Sequence, residues 1–110
     1  MPKPQLPDLT HLQFLVLGVL RSAEQSGRTL RDALAEYGIR RTGPAFYQLM
    51  ARLEKEALVD GWYEQITVGD QLVTERRYRI TGDGKKRWNE ARAFYEHVAR
   101  VASKLRWSDA

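Results

Sequence analysis

The chain has 110 residues, no cysteine, and 18 Lys and Arg residues against 14 Asp and Glu, which gives a formal net charge of +4. This length predicts one domain, and the missing cysteine excludes disulfides and thiolate metal sites. No stretch approaches the roughly 18 consecutive apolar residues of a membrane span, and the first residues lack the apolar core of a signal peptide. We therefore expect a soluble, cytoplasmic protein without a membrane partner.

Arginine supplies most of the positive charge, with 13 Arg against 5 Lys. Arg can bind phosphate groups and guanine edges through two parallel hydrogen bonds, so this bias favours a nucleic-acid partner. A GC-rich genome would enrich Arg in the same way whatever the protein does. Composition alone therefore leaves both explanations open.

The N-terminal part predicts a flexible segment followed by a buried helix. Residues 1–9 contain three of the four prolines, and Thr10 is a good N-cap residue. Residues 12–20 are almost wholly apolar, and a helix that is apolar nearly all round should lie between other elements. We expect this first helix to end at Ser26 and Gly27.

A short second helix is predicted after this break. Thr29 and Asp32 have the spacing of a capping box, which would open the helix at Thr29. Gly38 is expected to end it, because glycine readily adopts the left-handed conformation that follows many helix C-termini.

A third helix is predicted from about Thr42 to Ala57. Pro44 is favourable in the first helical turn, which makes Thr42 or Gly43 the N-cap. Apolar residues recur at three- and four-residue spacing and mark the face that packs inward. That face consists of Phe46, Leu49, Met50, Leu53 and Ala57.

A β-hairpin follows, because the apolar period changes from 3.6 to 2 after Gly61. Its first strand is expected over residues 62–68 and its second over residues 72–80, so each arm has roughly seven residues. Gly69 and Asp70 form a reasonable tight turn between them. Which face packs inward stays open, because a slip of one residue would invert every side chain.

A long last helix is predicted after the break at residues 81–84 and extends to about Trp107. Its apolar residues follow a heptad spacing for almost three heptads. This seam either folds back on the first helix or packs against a second copy of the chain, and we expect both, with dimerisation the larger share. The seam residues are Trp88, Ala91, Tyr95, Val98, Ala102 and Leu105.

The order of elements predicts a mainly α (α+β) fold, a winged helix-turn-helix with a two-stranded β wing and a long C-terminal dimerisation helix. The predicted division is a flexible N-terminal segment at residues 1–9, a DNA-binding domain at residues 10–81, and a dimerisation helix at residues 82–107. A homodimer is therefore the expected form.

The third helix is the candidate recognition helix, which a helix-turn-helix protein places in the major groove. On its polar face Gln48 can pair with adenine, Arg52 with guanine or phosphate, and Tyr47 with phosphate. Arginines on the second wing strand would lie along a phosphate backbone. The predicted DNA-binding residues are Arg40, Arg41, Thr42, Gly43, Tyr47, Gln48, Arg52, Lys55, Arg76 and Arg77.

Residues 42–59 and 75–84 together resemble the PadR-like winged helix-turn-helix regulators. The recognition helix of that family reads, in outline, G-x-(I/L)-Y-x-x-L-x-R-L-E-x-x-G-(L/Y)-(I/V), and its second wing strand runs into Y-x-(L/I)-T-x-x-G. The resemblance extends over roughly residues 9–105. Ala57 stands where the family has glycine, and residues 74–77 replace a Gly-Arg-Pro-type basic tip. The matching residues are Gly43, Tyr47, Leu49 or Met50, Arg52, Leu53, Glu54, Leu58, Val59, Tyr78, Ile80, Thr81 and Gly84.

The resemblance implies a dimeric, repressor-like transcriptional regulator that binds a palindromic operator in double-stranded DNA. Some relatives bind a planar aromatic or cationic effector near aromatic residues at the dimer interface. By that resemblance, Phe14, Trp88 and Tyr95 are the candidate residues for a small aromatic effector. The alternative is that these rings only form the core of the interface.

Other classes of function are less well supported by the sequence. His11 and His97 are 86 positions apart and have no neighbouring cysteine or Ser-His-Asp set, so we expect neither an enzyme nor a metal site or cofactor. The alternative to a DNA-binding regulator is a winged-helix protein–protein interaction or scaffold module that does not bind DNA.

Overall fold

The computed structural model describes the backbone of residues 3–108 and the side chains of residues 3–103. It contains four helices and a three-stranded antiparallel sheet with the strand order β1-β3-β2, which confirms the predicted fold class and adds one short strand to the predicted wing. The elements in chain order are α1 (His11–Leu20), β1 (Gln25–Ser26), α2 (Gly27–Glu36), α3 (Gly43–Lys55), β2 (Val59–Val68), β3 (Gln71–Ile80) and α4 (Gly82–Ser108).

Helix α1 begins as predicted but ends earlier. Thr10 and Gln13 form a capping box, in which the Thr10 side chain accepts from the Gln13 backbone N–H at 3.0 Å. The predicted end at Ser26 and Gly27 is wrong, because the helix stops at Leu20, where the apolar run gives way to polar residues. The first helix is therefore only ten residues long.

Ser26 has two roles that the sequence analysis missed. It pairs with Arg77 of β3 as part of β1, and its side chain accepts the backbone N–H of Thr29 at 3.0 Å as the N-cap of α2. The predicted capping box that opened the helix at Thr29 is wrong, since α2 begins two residues earlier, at Gly27. Gly38 has a φ of 82° after the end of α2, as its predicted role requires.

Helix α3 has clear signals at both ends. The Thr42 side chain accepts the backbone N–H of Ala45 at 3.2 Å and is the N-cap. At the other end Ala57 donates to the Glu54 carbonyl and Leu58 to the Leu53 carbonyl, both at 3.0 Å, the hydrogen-bond pattern of a Schellman motif. Ala57 adopts a φ of 61° to make this turn, so alanine occupies the left-handed position that glycine usually fills.

The wing is longer than predicted. Val59 pairs with Ile80 and Val68 with Gln71, so each arm has ten residues instead of about seven. The two-residue turn has Gly69 at a φ of 64°, a positive value that glycine accepts at the first turn position.

The register of the hairpin also settles which face packs inward. Paired residues of antiparallel strands share a face, so Val59, Tyr78 and Ile80 point together into the core, where all three are buried. Beyond this base most side chains of both strands are exposed or half-buried. The distal wing therefore extends away from the core.

The core lies between the first three helices and the base of the sheet. Tyr78 and Phe46 are its largest fully buried side chains, and their rings meet edge to face at 6.2 Å between centroids. Burial raises the pKa of the Tyr78 phenol, and a hydrogen bond from Arg76 opposes that shift. The remaining fully buried side chains are Val16, Leu17, Leu20, Leu30, Met50, Leu53, Leu58 and Val59.

Helix α4 starts at a tight junction with the end of α3. The Thr81 hydroxyl donates to the Ala57 carbonyl at 2.7 Å and accepts the Gly84 backbone N–H at 2.9 Å, which makes it the N-cap of α4. A side chain at Gly84 would collide with the Leu58 carbonyl oxygen. The predicted break at residues 81–84 is thus a helix cap packed directly against α3.

Replacing Ala57 with glycine is expected to stabilise the protein by about 0.5–1 kcal/mol. An L-residue in the left-handed region costs about 1–2 kcal/mol, which glycine avoids, but glycine loses about 0.5–1 kcal/mol more backbone entropy than alanine on folding. Urea denaturation measures the change. Ala51→Gly, at an exposed position inside α3, is the control and should destabilise by about 1 kcal/mol. An Ala57→Gly variant no more stable than the parent would contradict the strained cap.

Replacing Tyr78 with phenylalanine should flatten the loss of stability at alkaline pH. Because the folded-state pKa of Tyr78 is raised, its contribution is fully present below the unfolded pKa of about 10 and is lost as pH rises through the folded value. The unfolding free energy measured from pH 8 to 11 should therefore fall less steeply for Tyr78→Phe. The control is Tyr37→Phe, since that ring is 66% exposed. An equal fall in parent and Tyr78→Phe would rule out this linkage.

Candidate nucleic-acid interface

The outer face of α3 is polar and accessible. Phe46, Met50 and Leu53 fix the inner face of the helix in the core, which leaves Tyr47 and Gln48 exposed on the opposite side. The ring of Tyr47 packs edge to face on Phe46, 5.6 Å between centroids, and is still 51% exposed. Further along the same side, Arg52, Lys55 and the small Ala51 are exposed.

The segment that leads into α3 is held in place by α2. The Arg31 guanidinium donates to the Arg41 carbonyl at 3.1 Å, and both Arg40 and Arg41 remain exposed. The Thr42 side chain is engaged as the N-cap, and Gly43 is half-buried at the first turn.

Two open clefts flank the N-terminal half of α3. One, of about 530 Å³, brings Arg41, Gln48 and Arg52 together beside the start of α1. Gln48 and Arg52, the predicted base-reading side chains of α3, therefore share one concave surface with Arg41 of the preceding loop, whereas Tyr47 lines the other cleft.

The other cleft, of about 570 Å³, lies between α2, the start of α3 and the distal wing. Arg28 and Arg31 line it from α2, and neither was among the predicted site residues. The signal that could have identified them is their position in the first turns of a polar helix that precedes the recognition helix. The other lining residues used below are Arg40, Arg41, Ile66, Val68, Val73 and Glu75.

Arg76, predicted to contact DNA, forms an ion pair with α3. Its guanidinium lies 2.6 Å from the Glu54 carboxylate, and only 22% of the Arg76 side chain is exposed. The same guanidinium lies 4.7 Å from the centroid of the Tyr63 ring. A side chain at Gly61 would collide with both members of the ion pair, so glycine makes room for it.

Arg77, the other wing arginine predicted to contact DNA, lies between two carboxylates. Its guanidinium is 2.9 Å from Glu75 and 3.3 Å from Glu64. The hydrogen bond to Glu75, with Glu24 and Glu64 nearby, raises the pKa of Arg77, although burial opposes the shift. Arg79 likewise pairs with Asp60 at 3.2 Å. Contact of Arg76 or Arg77 with DNA stays a prediction, and in the free protein both are bound to carboxylates.

The proximal half of the predicted seam is covered by α1 of the same chain. The Trp88 and Phe14 rings stack with 5.2 Å between centroids and 2° between planes, and Tyr95 meets Phe14 edge to face at 5.4 Å. Arg21 lies 3.8 Å from the centroid of the Trp88 ring. Ala91 is fully buried, so these seam positions belong to the fold of the single chain.

The distal half of the seam is uncovered. Val98 and Val101 are 44% and 41% exposed, and Ala102 is exposed. The side chain of Leu105, the last predicted seam residue, lies outside the described residues. The proximal and distal halves of the seam therefore have different environments in one chain.

The described residues contain neither a metal-binding cluster nor a membrane-spanning helix. No group of three or more His, Cys, Asp and Glu residues among them could hold a metal ion. None of the described helices is long and apolar enough to cross a membrane. The imidazole of His11 lies against the ring of Tyr95, with 6.1 Å between centroids.

Comparison with known proteins identifies structures with the same architecture. No protein-family model and no curated protein matches the chain. Among solved structures, a PadR family transcriptional regulator from Eggerthella lenta is 31% identical, with a TM-score of 0.64 over 86% of this chain and 80% of that one. A PadR-like regulator from Bacillus cereus is 23% identical, with a TM-score of 0.70 over 86% and 89%.

A third neighbour is Bacillus subtilis PadR in complex with operator DNA. It is 21% identical, with a TM-score of 0.60, and the alignment covers 74% of this chain but only 46% of that one. The two less similar neighbours show the common fold. The identity to the Eggerthella lenta protein over most of both chains shows the family: this chain belongs to the PadR family of transcriptional regulators.

Proposed function

We propose that this protein is a dimeric repressor that binds double-stranded DNA sequence-specifically, with α3 in the major groove. The observation that carries the proposal is the exposed face of α3, where Gln48 and Arg52 share one cleft with Arg41. Bacillus subtilis PadR, a structural neighbour in complex with operator DNA, supports double-stranded DNA as the partner. A repressor of this kind acts by occupying the operator.

Each side chain on the α3 face has a chemical role in this proposal. Gln48 pairs with adenine and Arg52 with guanine, because their donors and acceptors match those base edges in the major groove. Tyr47 and Lys55 contact phosphates. A phosphate group of the DNA binds at the start of α3, next to the positive end of the helix dipole. Its ligands there are the side chains of Arg40 and Arg41 and the backbone N–H groups of Thr42 and Gly43.

Dimerisation occurs, in this proposal, through the distal half of α4. At about 1.5 Å per residue its 27 residues give a helix about 40 Å long. Its proximal half is already packed on α1, whereas Val98, Val101 and Ala102 form an apolar strip that a second copy would cover. We assign DNA binding to residues 10–81 and dimerisation to residues 82–107, with the start of α4 also contributing to the core.

The aromatic cluster on α1 and α4 is better explained as packing than as an effector site. Phe14 and Trp88 are in parallel contact, and Arg21 lies on the Trp88 ring. A planar effector would have to separate rings that already stack on each other. We therefore assign Phe14, Trp88 and Tyr95 to the attachment of α4 to α1.

Losing either base-reading side chain should relax sequence choice. Gln48→Ala and Arg52→Ala are each expected to reduce discrimination by about 1–3 kcal/mol per contacted base pair. Duplexes selected from a random DNA pool, followed by fluorescence anisotropy, measure this preference. Arg100→Ala is the matched control, because Arg100 is exposed on the α4 face opposite the seam.

The outcomes separate the candidate functions. Unchanged base preference in Arg52→Ala would contradict the role given to that residue. If the unsubstituted protein binds no duplex near 100 mM salt, where operator binding of this type is expected to persist, the protein–protein interaction module becomes the better explanation.

Placing a charge on the uncovered strip should break the dimer. Val98→Glu buries a carboxylate in an apolar interface, which strongly disfavours association. We expect a monomer by analytical ultracentrifugation and much weaker operator binding. Ala93→Glu adds the same charge at an exposed position on the opposite side of α4 and should stay dimeric. A Val98→Glu protein that remains a dimer would refute the proposed interface.

A further inference from the structure

The arginines near the proposed DNA-binding surface fall into two groups with different partners. Those on β3 are paired with carboxylates, whereas those of α2 and of the loop before α3, which line the cleft between α2, α3 and the wing, are exposed. This difference bears on how the sugar–phosphate backbone is held, because a phosphate is attracted by a cation whose charge is not already neutralised.

The positive charge of the wing arginines is largely neutralised by nearby carboxylates. Arg76 is paired with Glu54 at 2.6 Å, Arg77 with two carboxylates, and Arg79 with Asp60. Further toward the tip, residues 62–75 contain three carboxylates and no Lys or Arg. A phosphate backbone approaching the distal wing would therefore meet net negative charge.

The cleft arginines are free of such partners. Among residues 3–103, the guanidinium groups of Arg28, Arg31, Arg40 and Arg41 take part in no ion pair. All four are exposed and line the same cleft of about 570 Å³. Two carboxylates also line it, Asp32 and Glu75, and Glu75 is paired with Arg77. Arg76 reaches the same cleft from β3, but its charge is paired with Glu54.

The positions of these arginines are fixed by the fold. Arg31 donates to the Arg41 carbonyl at 3.1 Å, which ties α2 to the loop before α3. Arg28 lies in the first turn of α2, directly after the Ser26 cap, so its charge stands beside the positive end of that helix dipole. The start of α3 with its Thr42 cap follows directly after Arg41.

We infer that the sugar–phosphate backbone is held in this cleft by Arg28, Arg31, Arg40 and Arg41, and that the wing arginines do not contact phosphate. Arg76 instead positions the wing against α3 through Glu54, and Arg77 links β3 to β2 through Glu64 while its own-strand neighbour Glu75 holds its guanidinium in place. This inference rests on the proposed DNA binding and adds Arg28 and Arg31 to the interface.

The inference has a quantitative signature in the salt dependence of binding. Each phosphate neutralised by a protein cation releases condensed counterions and contributes about −0.9 to the slope of log K against log salt concentration. An arginine already paired with a carboxylate contributes no net charge to this exchange. The magnitude of the slope therefore rises with the number of unpaired arginines that contact phosphates, and arginines already paired with carboxylates do not contribute to it.

The experiment measures that slope by fluorescence anisotropy with a selected operator duplex between about 50 and 200 mM salt. Arg28→Ala, Arg31→Ala, Arg40→Ala and Arg41→Ala should each flatten it by about 0.9. Arg28→Lys keeps the charge and should keep the slope. Arg100→Ala, on α4, should leave it unchanged.

The wing is tested with substitutions that remove both partners of an ion pair and so preserve the net charge. Glu54→Gln with Arg76→Gln, and separately Glu64→Gln with Arg77→Gln, should retain the slope of the unsubstituted protein. Thermal unfolding followed by circular dichroism verifies that each variant is folded at the temperature of the assay.

The possible results distinguish a failure of this inference from a failure of the proposed function. A wing pair that flattens the slope by about one unit, or cleft variants that leave it unchanged, would overturn the inference. If the unsubstituted protein shows no salt-dependent binding to any duplex, it is the proposed function that fails, and this outcome is separate from both of the others.

Discussion

The structure depends on the junction at Thr81, where the end of α3 meets the start of α4. One hydroxyl donates to the Ala57 carbonyl and accepts the Gly84 N–H, while the Thr81 backbone N–H donates to the Leu58 carbonyl at 3.1 Å. The missing side chain at Gly84 lets the two backbones approach this closely. Because the same few atoms cap one helix and begin the next, α3 cannot turn relative to α4 without losing these bonds. The orientation of the exposed side chains of α3 is thereby linked to the direction of α4.

Packing extends this rigid link along α4. The stacked rings of Phe14 and Trp88 and the buried Ala91 hold the first part of the helix on α1. Beyond Tyr95 the helix leaves the core, which accounts for the elongated shape of 65 × 28 × 23 Å. In the proposed dimer, the distance between two recognition helices would be set by this projecting part. A two-fold dimer whose two α3 helices are spaced by one turn of DNA matches a palindromic operator. The spacing between these helices would depend on the rigid junction at Thr81 as much as on the dimer interface of α4.

The sequence predicted those parts of the structure that local chemistry decides. The caps at Thr10 and Thr42 and the inward positions of Phe46, Met50 and Leu53 need only neighbouring residues, and the structure has all of them. Two local predictions were wrong: Ala57 is exposed beyond the end of α3, and the strand that follows begins at Val59, before Gly61. The end of α1 and the start of α2 were missed, because Ser26 is chosen as a cap by its pairing with Arg77, far along the chain. The Glu54–Arg76 ion pair joins residues 22 positions apart, and no local pattern reports it. The heptad spacing likewise could not tell which seam residues α1 would cover.

The wing shows how the same residue type can serve two different purposes. An isolated two-stranded hairpin has little stability in water, and this one projects beyond the core with Tyr63 and Leu72 each 71% exposed. Cross-strand pairs of opposite charge and the ion pair to Glu54 supply contacts that the missing hydrophobic core does not. An arginine held in this way has fixed geometry and reduced net charge, both of which lower its attraction for phosphate. Arginines on α2 and before α3 form no ion pair among residues 3–103, and the hydrogen bond from Arg31 to the neutral Arg41 carbonyl leaves the charge of Arg31 uncompensated. In the proposed complex with DNA, the fold thus divides its arginines between holding the wing and binding the sugar–phosphate backbone.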